Sequence, residues 1–596
     1  MKMNITKLIK RNILLLFFMI SVFSCKKTFD YQPENVLDIT KNYQDVNDAD
    51  AVILGLYGKF AKVMDKYIVL NELQGDLMDV TPNADKYLKE INEHSATTDN
   101  PWADPKPFYA LVIDCNDIMY NFKEMLRTRR MTQAEFDIRY SEVTTVWVWV
   151  YLQLGIQYGS VPFVTDPLAT IDAVKDPSKS PTVSFDVLID NLIAMIRTVP
   201  VLNPIALTDE THTPIIVTAG SSLIRVIDGY STSRMFLNRY FLFGDVFLWK
   251  GSYAEAAHYY RAAMDLSEYV KISSGSGSYP DFFRVTGSKG EATGPTWDSD
   301  FISPFDGDIK SDIISQVPFD KKFQPGNPFI SLFSHAGKYL LKPSAKSINN
   351  WDIQYRSDNS PIDIYRGPDK SYSMGPEPEV KKLIAGFNKL NPLETTGKFI
   401  IQRSRGLHLR FLEAANRDGR DQLAYALLNN GLKAAYTGPP PVPANVVNIM
   451  QSFDANPDYY FDARAGQFPP YVGIWSGNIG IRGNASLVPV KVDSVKYFDM
   501  SVPALWDKPV KDAKGLAIAQ EDLILKENAL EMAFEGVRWT DLVRVGLRRE
   551  KEIPGSGLAF MQATVAAKFI AAGKSVPPGV AQLGSSVANW YLPFKR

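Results

Sequence analysis

Apolar residues recur at helical spacing through most of the chain. From Gln44 to Met64, Val52, Leu56, Phe60 and Val63 share one stripe, and Asp45, Asp48 and Asp50 stand where a helix N-terminus favours negative charge. Leu111, Cys115, Ile118, Phe122, Met125 and Leu126 predict a second helix from Phe108 to Arg127. Between 132 and 158, Trp147, Tyr151, Leu154 and Tyr158 share one face and Trp149, Leu152 and Ile156 another, so this helix is expected to be central and buried. Gly159 and Pro162 end it. Ser184 to Val199 is amphipathic, with Phe185, Leu188, Ile189, Leu192 and Ile196 as its stripe.

Two segments carry the grammar of a helical hairpin. A helix predicted from Ser233 to Trp249 meets Gly251 and is followed by Tyr253, Ala256, Tyr260 and Ala263. This L-x-x-G-x-[YF]-x-x-A pattern is that of a tetratricopeptide repeat, in which alanine lets two helices approach and aromatic rings fill the gaps. It returns as Leu409, Leu412, Ala414 and Ala415, a turn at Asn416 to Gly419, then Leu423, Ala426 and Leu427. The stretch between, about 271–400, reads as a large loop-rich insertion. Gly, Pro and Ser make up 22 of the 60 residues from 271 to 330, yet Tyr279, Phe282, Phe283, Trp297, Phe301, Phe305 and Phe319 are threaded through them. That many aromatic residues argue against disorder and for a functional loop.

The N-terminus differs from everything that follows. Residues 1–11 are basic, and Ile13 to Phe23 is almost uninterrupted apolar sequence. Eleven helical residues rise about 16 Å, roughly half a bilayer core, so this is a signal peptide (residues 1–24) rather than a membrane span. Ser24-Cys25 at its end resembles a bacterial lipobox, which implies cleavage before Cys25 and diacylglycerol on its sulfur; a plain secretory signal is the simpler alternative. Residues 25–45 then form a lipidated tether, polar and without helical period, and 46–596 a single domain. Cys115 would be left without a partner, as a buried, inert thiol.

Composition narrows the function. The chain has 45% hydrophobic and 22% charged residues and a net charge of −1, which becomes −5 (61 cations against 66 anions) once the signal and its four cations are removed. No general field for nucleic acid results. Two cysteines and five dispersed histidines exclude a disulfide scaffold and leave no set of zinc ligands at the usual spacing.

Leu525 to Arg544, LKENALEMAFEGVRWTDLVR, resembles the closing motif E-R-x-x-E-L-x-F-E-G-x-R-W-x-D-L-x-R of the SusD/RagB family of outer-membrane lipoproteins, with Asn528 in place of the usual arginine. Gln157 to Pro162, the hairpin at Trp249, Leu341 to Ser344, Asp363 to Arg366, Leu412 to Asn416, Gly480 to Gly483 and Tyr591 to Pro593 follow in the family's order. The resemblance implies a mainly α fold, SusD-like, with four tetratricopeptide-like helix pairs. It also implies a lipid-anchored position on the outer face of the outer membrane, over a SusC-like TonB-dependent transporter. The implied task is capture and delivery of oligosaccharide without catalysis; the RagB branch handles oligopeptides instead.

The residues themselves show no H-E-x-x-H, no G-x-S-x-G and no phosphate-binding loop: Gly573-Lys574-Ser575 has Lys568 where the loop requires glycine. Neither a cofactor nor a metal is expected. Glu531 and Glu535 are the one pair suited to glycosidase chemistry, and beside Arg538 they read as an ion-pair network instead. A neutral sugar offers an apolar C–H face to an aromatic ring and hydroxyls to acceptors. Trp102, in the loop Asp99 to Asp104, and Asp76, just before it, are therefore candidate ligand contacts, with Tyr279 and Trp297 of the insertion opposite. Each also has a plainer reading, an aromatic that pins a loop to the helical body. Trp147, Trp149, Trp249 and Trp539 sit at helical spacing and are expected in the core, whereas Trp351 and Trp475 fit either place.

Overall fold

Several of the helices start where a side chain supplies an acceptor that their free N–H groups need. In the computed structural model, Asp45 accepts from the amides of Asn47 and Asp48 to open α1 (Val46–Ala61). That structure describes residues 43–596 except 166, 168–171, 173–174, 203–222, 225, 228–229, 266–300, 302–311, 320–325, 388–396, 437–453, 468–469 and 502–508. Helix α2 (Lys106–Arg127) buries the predicted stripe, Cys115 included, except for Leu126, which is half-buried. Thr132 and Glu135 form a reciprocal capping box before α3 (Gln133–Tyr158), which is buried on every side from Arg139 onward. α4 (Phe185–Ile196) joins it to the next hairpin.

That hairpin is α5 (Arg239–Lys250) and α6 (Tyr253–Asp265). α5 starts six residues later than the periodicity predicts, because the side chain of Asn238 accepts from the amide of Phe241 and Thr232–Arg234 makes a separate 3-10 turn. Ala256 and Ala263 are buried at the crossing, as expected. Gly244 makes the closest approach: a Cβ there would lie 2.5 Å from the ring of Tyr260. The second predicted hairpin is α7 (Ser404–Arg417) and α8 (Asp421–Leu428), and α9 (Ala513–Glu531), α10 (Arg538–Glu552) and α11 (Ser556–Ala571) follow. Among the described residues, consecutive helices pack against each other: α2 with α3, α5 with α6, α7 with α8, and α10 with α11. The fold is mainly α, with tetratricopeptide-like pairs, as the resemblance implied.

The described residues of the insertion hold more regular structure than its composition suggests. Beside β1 (Met78–Val80), its described part contains β2 (Ile313–Phe319), β3 (Leu341–Pro343) and the start of β4 (Gly397–Arg403), with helices at Phe329–Phe333, Ala345–Asp352 and Lys381–Ile384. β1 pairs antiparallel with β3, Met78 opposite Pro343, and β2 with β4, Gln316 opposite Ile400. A residue count over 271–330 averages away β2, seven residues that are almost entirely buried. The Ser315 hydroxyl lies within hydrogen-bond distance of the Phe236 carbonyl, at 2.7 Å, and of Gln402 Oε1, at 2.9 Å.

One connected core runs from Ala49 to Leu592. Trp147, Trp149 and Trp539 lie in it, and so do Trp351 and Trp475. Trp249 is only partly buried, held between the ring of Phe185 at 5.0 Å and the guanidinium of Arg544 at 5.8 Å. Among the described residues no helix is long and apolar enough to cross a membrane.

Candidate functional site

Trp102 occupies a 3-10 turn, Pro101–Ala103, whose backbone is bonded from beneath at every carbonyl. The buried ammonium of Lys66 donates to the carbonyls of Pro101, Trp102 and Asp104 at 2.7, 2.9 and 2.9 Å. The phenol of Tyr158, the last residue of α3, donates to the carbonyl of Ala103 at 3.0 Å. Asn100 caps the turn by accepting from the Trp102 amide, and its own amide group donates to the Tyr87 carbonyl and to Glu90, both at 2.9 Å. Of the three side chains of the turn, Pro101 is exposed, Trp102 half-buried and Ala103 buried. The Trp102 ring lies partly on the core and partly in solvent, and its indole N–H has no hydrogen-bond partner among the described residues. Beside it, helix Lys86–Asn92 carries half-exposed Tyr87, with the Lys86 ammonium 4.7 Å above the ring. Glu90 and Asp104 are partly exposed carboxylates on the same edge. Aromatic faces with acceptors beside them are what a sugar ring or an amphipathic peptide side chain requires. Tyr87 carried a sequence signal, an aromatic among polar neighbours, but only the packing of its helix on the turn brings it to this edge.

Asp76 is not part of that edge. Its side chain is buried, and both oxygens are taken by Arg538, at 2.6 and 3.0 Å, so it offers a ligand no acceptor. Residues 71 to 79 around it are buried as well, and its carboxylate turns inward to satisfy a buried guanidinium. Cys25, Tyr279 and Trp297 lie outside the described residues.

The closing motif holds the molecule together. Glu531 bonds to Arg366 and Arg403 at 2.9 and 2.7 Å. Glu535 bonds to Lys382 and Arg403, not to Arg538 as its spacing suggests, because it lies in the turn after α9 instead of on the helix. Burial would raise the Glu531 pKa, but Arg403, Arg366, Arg405 and Lys382 outweigh it and hold the carboxyl down to about 2. A carboxylate so saturated with cations is a poor proton donor, which argues against general-acid work by this pair. Glu72 accepts from the amides of Phe534, Gly536 and Val537, with no cation among these partners, and burial pushes its pKa up to about 8.

A cavity of about 590 Å³ opens between α8 and α9, with Tyr425, Phe498, Met500 and Gln520 in its walls; none of the residues nominated from the sequence lines it. Cys115 is buried, and burial drives its thiol well above the ordinary range, so it is inert at neutral pH. No group of three or more potential metal ligands forms among the described residues.

No protein-family model matches the chain, and no curated protein does. Solved structures match over most of its length. A SusD superfamily protein from Bacteroides thetaiotaomicron superposes with a TM-score of 0.52 at 15% identity, covering 88% of this chain and 94% of its own. Surface glycan-binding protein A from Bacteroides uniformis gives 0.52 at 14% identity, covering 92% and 95%. A SusD superfamily protein from Bacteroides vulgatus gives 0.52 at 13%, covering 91% and 98%. The chain therefore has the SusD-superfamily fold, the architecture its closing motif pointed to.

Proposed function

We propose that this protein is a non-catalytic receptor of the outer membrane that binds oligosaccharide nutrients at the Trp102 edge and delivers them to a SusC-like TonB-dependent transporter. The observation that carries the reading is the shared fold with a surface glycan-binding protein along 92% of the chain. The Trp102 turn adds a rigid aromatic surface with carboxylates beside it. The signal peptide and Cys25 add an anchor: with two or more acyl chains on that residue, the chain stays on the bilayer facing outward.

Calorimetry of the full-length protein in detergent against maltoheptaose, cellohexaose, xylohexaose and mannohexaose tests the ligand. Binding of at least one glycan is expected. Binding of casein-derived peptides with no glycan bound would reassign the ligand to oligopeptides. Release of reducing ends by clean protein would overturn the non-catalytic reading. Radiolabelled palmitate should enter the wild-type chain and not Cys25→Ala, and a large TonB-dependent barrel should co-purify with the former.

A further inference from the structure

Lys66 is buried, yet no carboxylate pairs with it: its ammonium sits among three backbone carbonyls 2.7–2.9 Å away, all from the turn that carries Trp102. An ammonium has three N–H donors, and here each has one acceptor. The remaining carbonyl of the turn, that of Ala103, belongs to Tyr158. Four successive carbonyls, 101 to 104, are thus fixed by two side chains from below. The turn is a single 3-10 turn with an exposed proline at its start; Asn100 caps its amide end, and Lys66 and Tyr158 hold its carbonyls.

We propose that Lys66 is the positioning residue of the ligand surface, its charged form fixing the pose of the Trp102 indole. This inference rests on the reading that Trp102 contacts ligand. The geometry makes it sensitive to protonation. A neutral amine keeps only two N–H groups, so one of the three carbonyls loses its donor and the turn loosens. Burial brings the Lys66 pKa down to about 8, with Asp104 across the turn and Asp65 on its own helix pulling it upward. Tyr158, the other group facing the turn, has its phenol held far above its usual range by burial and stays protonated here.

The test needs no ligand. The protein has 10 tryptophans, so Trp102 is isolated as the difference in emission between the full-length protein and Trp102→Phe. Acrylamide quenching of that difference is followed from pH 6.5 to 9.5. The quenching constant is expected to rise about two-fold across a midpoint near pH 8 in the wild type. Lys66→Arg, whose guanidinium keeps its proton throughout, should abolish the transition while remaining folded. Lys568→Met should keep it; Lys568 is a second buried lysine with its pKa lowered to about 8, but it bonds to Leu73 and Asn92 instead. A flat wild-type profile, or a transition that survives in Lys66→Arg, overturns the proposal. If the transition behaves as expected and no glycan or peptide binds, the positioning role stands and the receptor reading is what fails.

Discussion

Arg538 grips both oxygens of Asp76, at 2.6 and 3.0 Å, across 462 residues of chain. The pair ties the first turn of α10 to the segment that follows the first helices, and both side chains are almost free of solvent. Its neighbours repeat the arrangement, since Glu72 binds three amides just ahead of α10 while Asp541 pairs with Arg410 and Arg544. The closing motif is thus a knot joining the two ends of the fold.

Removing one partner of this pair strands a buried charge. Arg538→Met is expected to lower unfolding free energy by about 3–5 kcal/mol in urea titrations. The double variant Arg538→Met/Asp76→Leu should recover part of the loss, since an apolar pair of similar volume avoids the desolvation cost. A single variant as stable as wild type would show that the pair contributes nothing.

Gly536 has φ +80°, and a Cβ there would lie 2.2 Å from the ring of Tyr67. Gly536→Ala therefore meets backbone strain and a steric clash together. A loss of about 2 kcal/mol or more is expected in the same titration. Equal stability of the two proteins would contradict both arguments.

Acid should loosen the knot. The Glu531 carboxyl is held down to about 2 when folded, against an ordinary 4.5. Its folded pKa is below its unfolded one, so its contribution is complete above pH 4.5 and lost as pH falls from there towards 2. Glu531→Gln should lower stability at pH 7 and flatten its fall between pH 4.5 and 2. Parallel stability curves for variant and wild type would refute this assignment.

Trp102→Ala should weaken glycan binding by roughly three- to ten-fold, the range of one aromatic stacking contact. The melting temperature should change little, because the ring is only partly in the core. A large fall in melting temperature with unchanged affinity would make Trp102 a packing residue.

The helical body was legible in the sequence wherever an apolar stripe repeats over several turns. α2 and α3 begin within two residues of their expected starts, and the glycine turn and small alanines of the α5–α6 hairpin were visible too. Short paired elements were not. β2 lies among prolines and glycines and becomes a strand only because β4, distant in sequence, pairs with it. Partner choice among charges was equally hidden. The i,i+4 spacing of Glu531 and Glu535 put both on one helix beside Arg538, whereas a turn after Glu531 sends Glu535 to Arg403 and leaves Arg538 for Asp76.

By itself the sequence determined the helices and the family resemblance, because periodicity and motif are local and survive without a partner. Only the tertiary structure decided that Asp76 turns inward and that Lys66 cages the Trp102 turn. Burying a charge forces it to find a counter-charge or a set of carbonyls, and which of these lies within reach depends on chain segments that meet only in the folded protein.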